Sequence, residues 1–247
     1  MSLQDLEVHL APKTLFEIVP GLPVTNTIVT MWIVMAILVC LALVIRVRMR
    51  YLPAGFQNFV EWSLGGFYDF MEGIGGPAIK KHFPIFITFF LAILFSNWLG
   101  LAMGVVAEGL NLRAPTSDLN TTAALAIVAF LFFEYQGVKA HGLLGYLGHF
   151  FDFKAFKKGP VGIIFFFVGL LHIVSELVRP LALSLRLFGN IFGGEIVLVV
   201  AFLIVAPLIP LPFMLLEVIV GLIQAFVFAF LFLIFTTLNS THAEEAH

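Results

Sequence analysis

Val161 to Val205 reads VGIIFFFVGLLHIVSELVRPLALSLRLFGNIFGGEIVLVVAFLIV, an apolar stretch of some forty-five residues that contains Glu176, Arg179, Arg186 and Glu195. A helix crosses the hydrocarbon core of a bilayer in about 20 residues, so this run is twice what one perpendicular crossing needs. Beyond Pro207, Pro210 and Pro212 a second run, Phe213 to Leu238, has no proline and only Glu217 and Gln224 as strongly polar side chains. Together they predict a hairpin of two long, steeply tilted helices, residues 161–205 and 213–238, turned at the prolines, with Pro180 kinking the first. In an antiparallel hairpin, residues equidistant from the turn face each other. Arg186 with Gln224, and Glu195 with Glu217, both average to a position just before Pro207, which predicts two matching polar layers.

The rest of the chain agrees with a membrane reading. Of 247 residues, 61% are hydrophobic and 11% charged, too few polar groups to coat a water-soluble domain of this size. Further spans are expected at residues 24–45, 85–106 and 121–138. Between Pro53 and Ile79 the apolar positions Phe56, Val60, Leu64, Phe67, Met71 and Ile74 recur every three or four residues, while Glu61, Asp69 and Glu72 interrupt any spanning segment. That pattern is an amphipathic helix lying on the membrane surface. The fold class is therefore an all-α polytopic membrane protein, with about five embedded helices plus one surface helix in a single domain. No internal repeat or low-complexity tract divides it.

Charge sets the orientation. Arg46, Arg48 and Arg50 follow the first span, and Lys80, Lys81, Lys139, Lys154, Lys157 and Lys158 fall on the same side, whereas Lys13 and Arg113 fall on the other. The positive-inside rule then puts residues 1–23 outside and the tail, residues 239–247, in the cytoplasm. The acidic start, with Asp5, Glu7 and Glu17, lacks the basic region of a signal peptide and reads as mature sequence. A formal charge of −2 without a basic tract disfavours nucleic acid. The single Cys40 excludes an intramolecular disulfide and a multi-cysteine metal site.

Ionisable residues at membrane depth cost from about 3 kcal/mol upward and mark ion paths or functional partners by default. Glu176 and Arg179, at i and i+3, read either as a helix salt bridge or as part of a path, and His172 either as packing or as a member of it. Asn97 and Trp98 read as packing and interfacial anchoring. Arg186 is different, because no carboxylate stands at i±3 or i±4 to neutralise it, so its partner is expected on another chain. At about 100° per residue, Arg179, Arg186, Asn190 and Gly193 share one helix sector, and Gly189 with Gly193 gives a spacing that admits a close neighbour. Glu195 points away from that sector on a straight helix.

These residues carry a resemblance. Leu185-Arg186-Leu187-Phe188-Gly189-Asn190 followed by Gly194-Glu195 resembles the signature of subunit a of the F-type ATP synthase membrane motor. Gln224-Ala225-Phe226, the segment Pro115 to Thr122 and the order of spans extend it over most of the chain. The resemblance implies that Arg186 faces the essential carboxylate of a rotating c-ring and seals two offset half-channels from each other. It implies that Asn190, Glu195 and Gln224 border the outer half-channel. Glu217 stands where many relatives pair a His with the equivalent of Glu195, and two carboxyls in one apolar layer are expected to share a proton. Glu176, Ser175, Arg179 and His172 are the candidates for an inner half-channel.

By the same resemblance the chain is a non-catalytic stator subunit with no cofactor and no metal site. Its partners are the c-ring, peripheral-stalk b subunits and the lipid bilayer, its location is a bacterial plasma membrane, and its coupling ion is a proton by family default. The alternative is a secondary ion transporter with a midplane arginine, although inverted repeats and broken helices are not apparent. An intramembrane hydrolase would need a motif such as HExxH or GxSxG, and neither occurs.

Overall fold

A computed structural model describes residues 14–19, 22–50, 55–106, 112–150, 161–204 and 210–241. Lys13, Lys154, Lys157, Lys158, the turn residue Pro207 and the tail beyond Thr241 lie outside the described residues. Strands β1 (Thr14–Val19) and β2 (Leu22–Thr25) pair antiparallel ahead of the first helix. The hairpin occupies the residues just ahead of the first span and sets the start of helix α1 (Asn26–Arg48) just after Thr25. Thr25 caps α1, its hydroxyl accepting from the Ile28 N–H at 3.4 Å, while Arg46 and Arg48 occupy the last turn, where a helix favours cations.

Helix α2 (Phe56–Gly75) is amphipathic as expected, but only its second half packs on the protein. Met71 is buried, Phe67 packs against Phe90 at 4.7 Å between centroids, and Phe70 meets Phe226 at 5.3 Å. Phe56, Phe59 and Trp62 are left exposed. A 3₁₀ turn, Pro77–His82, then feeds helix α3 (Phe83–Val106).

Helix α4 (Leu119–Phe150) continues well past the expected end of the third span, bending at Gly142. There φ is +72°, a conformation that glycine adopts without steric cost. Helices α5 (Val161–Ile204) and α6 (Pro210–Thr241) form the long final pair, with Pro180 inside α5. Pro210 and Pro212 do not precede α6; they sit in its first turn, where the missing N–H groups would be unpaired in any case. Asn239 accordingly belongs to the helix and not to a tail.

Among the described residues five helices are long and apolar enough to cross a membrane, which makes the chain an all-α polytopic membrane protein. Its core is an aromatic seam between α3, α4 and α6. Phe89 packs on Phe228 and Phe232, Phe132 on Phe232, and Phe133 on Phe235. Leu183, Leu187 and Ile191 dock α5 onto that seam, and this docking leaves the opposite side of α5 uncovered.

Candidate functional site

Docking α5 through Leu183, Leu187 and Ile191 turns Arg186, Gly189 and Asn190 outward. Arg186 is exposed and makes no hydrogen bond or ion pair among the described residues. A methyl group added at Gly189 or Gly193 would meet nothing within 4 Å, so the chain presents an arginine beside open backbone.

A polar cluster lies on α5 and α6 toward the N-terminal hairpin. Asn190 Nδ2 donates to Gln224 Oε1 at 2.6 Å. Equal spacing from the turn sets Gln224 opposite Arg186; the observed partner is Asn190, one helical turn further along the same sector of α5. Glu217 Oε1 lies 2.7 Å from where a Cβ on Gly194 would stand, so Glu217 meets α5 at the expected height. Its Oε2 is buried without a hydrogen-bond partner among the described residues.

Glu195 neighbours Glu217 and has a second partner outside the hairpin. Arg113, in the connection between α3 and α4, donates through Nε at 3.1 Å and through Nη2 to the same Glu195 oxygen. The connection is held firmly enough to aim that guanidinium. Thr116 Oγ1 donates to Asn97 Oδ1 at 2.6 Å, and Asn97 Nδ2 to the Gly221 carbonyl at 3.0 Å. Thr27 Oγ1 donates to Asp118 Oδ2 at 3.0 Å, and the other Asp118 oxygen accepts from the Asn120 N–H at 2.9 Å. Asn97 thus does more than pack, and Trp98 also bonds, its Nε1 donating to the Val218 carbonyl at 3.1 Å.

A second cluster lies toward the other end of the molecule. Glu176 is buried between Arg179, at 2.7 Å, and His172, at 3.7 Å. Arg179 also stacks over the Phe235 ring at 4.8 Å and donates to Asn239 Oδ1 at 3.3 Å. Glu134, on α4, is a near neighbour of Glu176 and accepts from Tyr146 OH at 2.5 Å. Burial, and then the hydrogen bond to Glu134, raise the Tyr146 phenol above its ordinary range, so it remains a donor. Ser175 lies apart on the exposed face of α5.

Along α5, Glu176 precedes Arg186 by ten residues and Glu195 follows it by nine, about 15 Å and 13 Å of helix rise. Two polar clusters are therefore separated by one exposed cation. Sequence reasoning missed two charged members of these clusters. Arg113 read only as a loop cation, since nothing local pairs it with a residue 82 positions away. Glu134 was passed over although a carboxylate inside an apolar run is itself a signal. Asn239 and Tyr146 carried no comparable mark.

The fold and the polar groups at span depth define a polytopic membrane protein built to hold charge inside the bilayer. The family model described as ATP synthase A chain matches residues 28–237. ATP synthase subunit a of Moorella thermoacetica is 36% identical over 223 residues, covering 90% of this chain and 94% of the relative. The protein of the same name from Geobacter sulfurreducens is 38% identical over 216 residues, 87% of this chain and 86% of the relative. ATP synthase subunit a 3 of Pelobacter propionicus is 36% identical over 251 residues, spanning 100% of this chain and 98% of the relative. The chain belongs to the ATP synthase A chain family, the subunit a component of the ATP synthase.

Proposed function

We propose that this chain is the stator subunit that provides two offset proton half-channels beside the c-ring and couples transmembrane proton flow to ring rotation. The observation that carries the reading is Arg186: exposed, without a partner among the described residues, on an open glycine face between two polar clusters. A guanidinium left in an apolar setting requires a counter-charge, and a ring of helices each bearing a carboxyl supplies one that can change with rotation.

Protons enter from the cluster of Arg113, Glu195 and Glu217, and pass Asn190 and Gln224 to a ring carboxylate. They ride nearly a full turn, because Arg186 blocks the direct route. They leave by the cluster of Glu134, His172, Glu176 and Arg179. Each proton releases about 2.3 kcal/mol per 100 mV, which the ring delivers to catalytic subunits; this chain makes and breaks no covalent bond. Peripheral-stalk b subunits hold it against the torque. The basic end of α1 supports a cytoplasmic side at Arg46 and Arg48, hence an outer N-terminus, a cytoplasmic C-terminus and a bacterial plasma membrane.

Replacing Arg186 with Ala is expected to abolish proton-driven ATP synthesis in complexes that still assemble. Lys is expected to substitute poorly, as its compact charge loses its proton readily when buried. Sustained coupled synthesis by assembled Arg186→Ala complexes overturns the reading. A secondary transporter, the other class with a midplane arginine, would purify without a ring of small subunits.

A further inference from the structure

The outer cluster contains one more charged group than a two-carboxyl relay requires. Arg113 comes from a connection whose neighbours Thr116 and Asp118 are both tied to other elements, and two of its nitrogens converge on one oxygen of Glu195. Such a two-nitrogen contact costs Glu195 the freedom to swing toward a neighbour. Glu217, across the hairpin, has no comparable cation among the described residues. One of its oxygens lies against the bare backbone of Gly194, and the other is buried without a hydrogen-bond partner among the described residues.

We propose that Arg113 is a positioning residue of the entry half-channel: it fixes Glu195 as a permanently paired carboxylate, so that the transferred proton is carried on Glu217. This rests on the half-channel reading above and assigns unlike roles to two carboxyls that the sequence presents as equivalents. Glu217 takes a proton from the outer side and passes it on toward the Asn190–Gln224 pair. It alternates between carboxyl and carboxylate, while the Arg113–Glu195 pair stays neutral overall and adds no net field opposing either state.

The charged surroundings of Glu217 are few. Glu195 faces it from α5 and Arg113 from the connection before α4. Asp118, the next acid, is held by the Thr27 hydroxyl and the Asn120 N–H. From α3, Asn97 and Trp98 reach the neighbouring turns of α6, and both are neutral. The titratable residues of α4 lie at its far end, and the rings of α2 meet α6 at Phe226 and Phe230, more than two turns beyond Glu217.

The test is the pH dependence of passive proton flux through vesicles holding the whole complex with its soluble head stripped off. Arg113→Gln leaves Glu217 beside an unbalanced anion, which favours its protonated state, so the pH of half-maximal flux is expected to rise by about one unit. Glu195→Gln leaves an unbalanced cation, and the midpoint is expected to fall by a similar amount. Combining the two substitutions removes both charges and should return the midpoint to the wild-type value, as should Arg113→Lys alone.

A merely structural Arg113 would lower flux at every pH without moving the midpoint, and that result overturns the assignment. Should Arg113→Gln fail to assemble, Glu195→Gln carries the test alone, and an unmoved midpoint in it is equally fatal. Wild-type vesicles that conduct no protons would instead count against the half-channel reading itself.

Discussion

Arg179 and Arg186 are seven residues apart on one helix and meet opposite fates. Arg179 has Glu176 three residues before it, an aromatic ring beneath it and Asn239 across the interface. Arg186 has none of these, and its isolation was legible in the sequence because the absence of a carboxylate one turn away is a local fact. The pairing of Arg113 with Glu195 was not legible, since it depends on where a distant connection is tied down. At Gly194 a side chain would strike only the movable end of Glu217, not backbone. Gly194→Ala is therefore expected to leave the complex as heat-stable as the wild type while slowing passive proton flux severalfold. A large loss of stability in thermal unfolding of the purified complex would mean that Glu217 is locked in place and cannot serve as a mobile proton carrier.

Between elements, close approach is set by small residues. Gly100 on α3 lies directly under Ala114, so that an added Cβ would collide with backbone as well as with the Ala114 side chain. Gly100→Ala forces the Arg113 connection outward and is expected to destabilise the assembly by about 1–3 kcal/mol, read as a lower temperature for losing this subunit from the purified complex. Unchanged thermal behaviour would show that the connection shifts freely, contrary to its ties through Asn97 and Thr27. The hairpin makes a second prediction at this scale. With Cys40 replaced, cysteines at 190 and 224 should crosslink through a short bifunctional reagent far more readily than cysteines at 190 and 231. Equal yields would refute the observed register. Equal spacing from the turn brings Glu217 to the height of Gly194 but sets Gln224 opposite Arg186, one turn from its observed partner Asn190, because such spacing gives only an approximate height and packing decides which side chain reaches across.

Across the whole molecule the two polar clusters act in series under the proposed function, so the slower one limits the flow. Glu134→Gln keeps the acceptor for Tyr146 and the side-chain shape, yet removes a protonatable group. It is expected to reduce passive proton flux, and the double variant with Glu217→Gln should be little slower than the slower single one. Wild-type flux in assembled Glu134→Gln complexes would exclude Glu134 from the path.

Composition, run lengths and the positions of charged residues inside apolar runs were enough to determine the all-α membrane fold and to single out Arg186, since both follow from the free energy of placing chain in lipid, which each segment meets by itself. The N-terminal β-hairpin, the outward turn of the Gly189–Gly193 face, the Arg113–Glu195 pair and the company of Glu134 were decided only by tertiary structure. Each depends on which side of a helix is docked and on contacts between residues far apart in the chain, and no local pattern encodes such contacts.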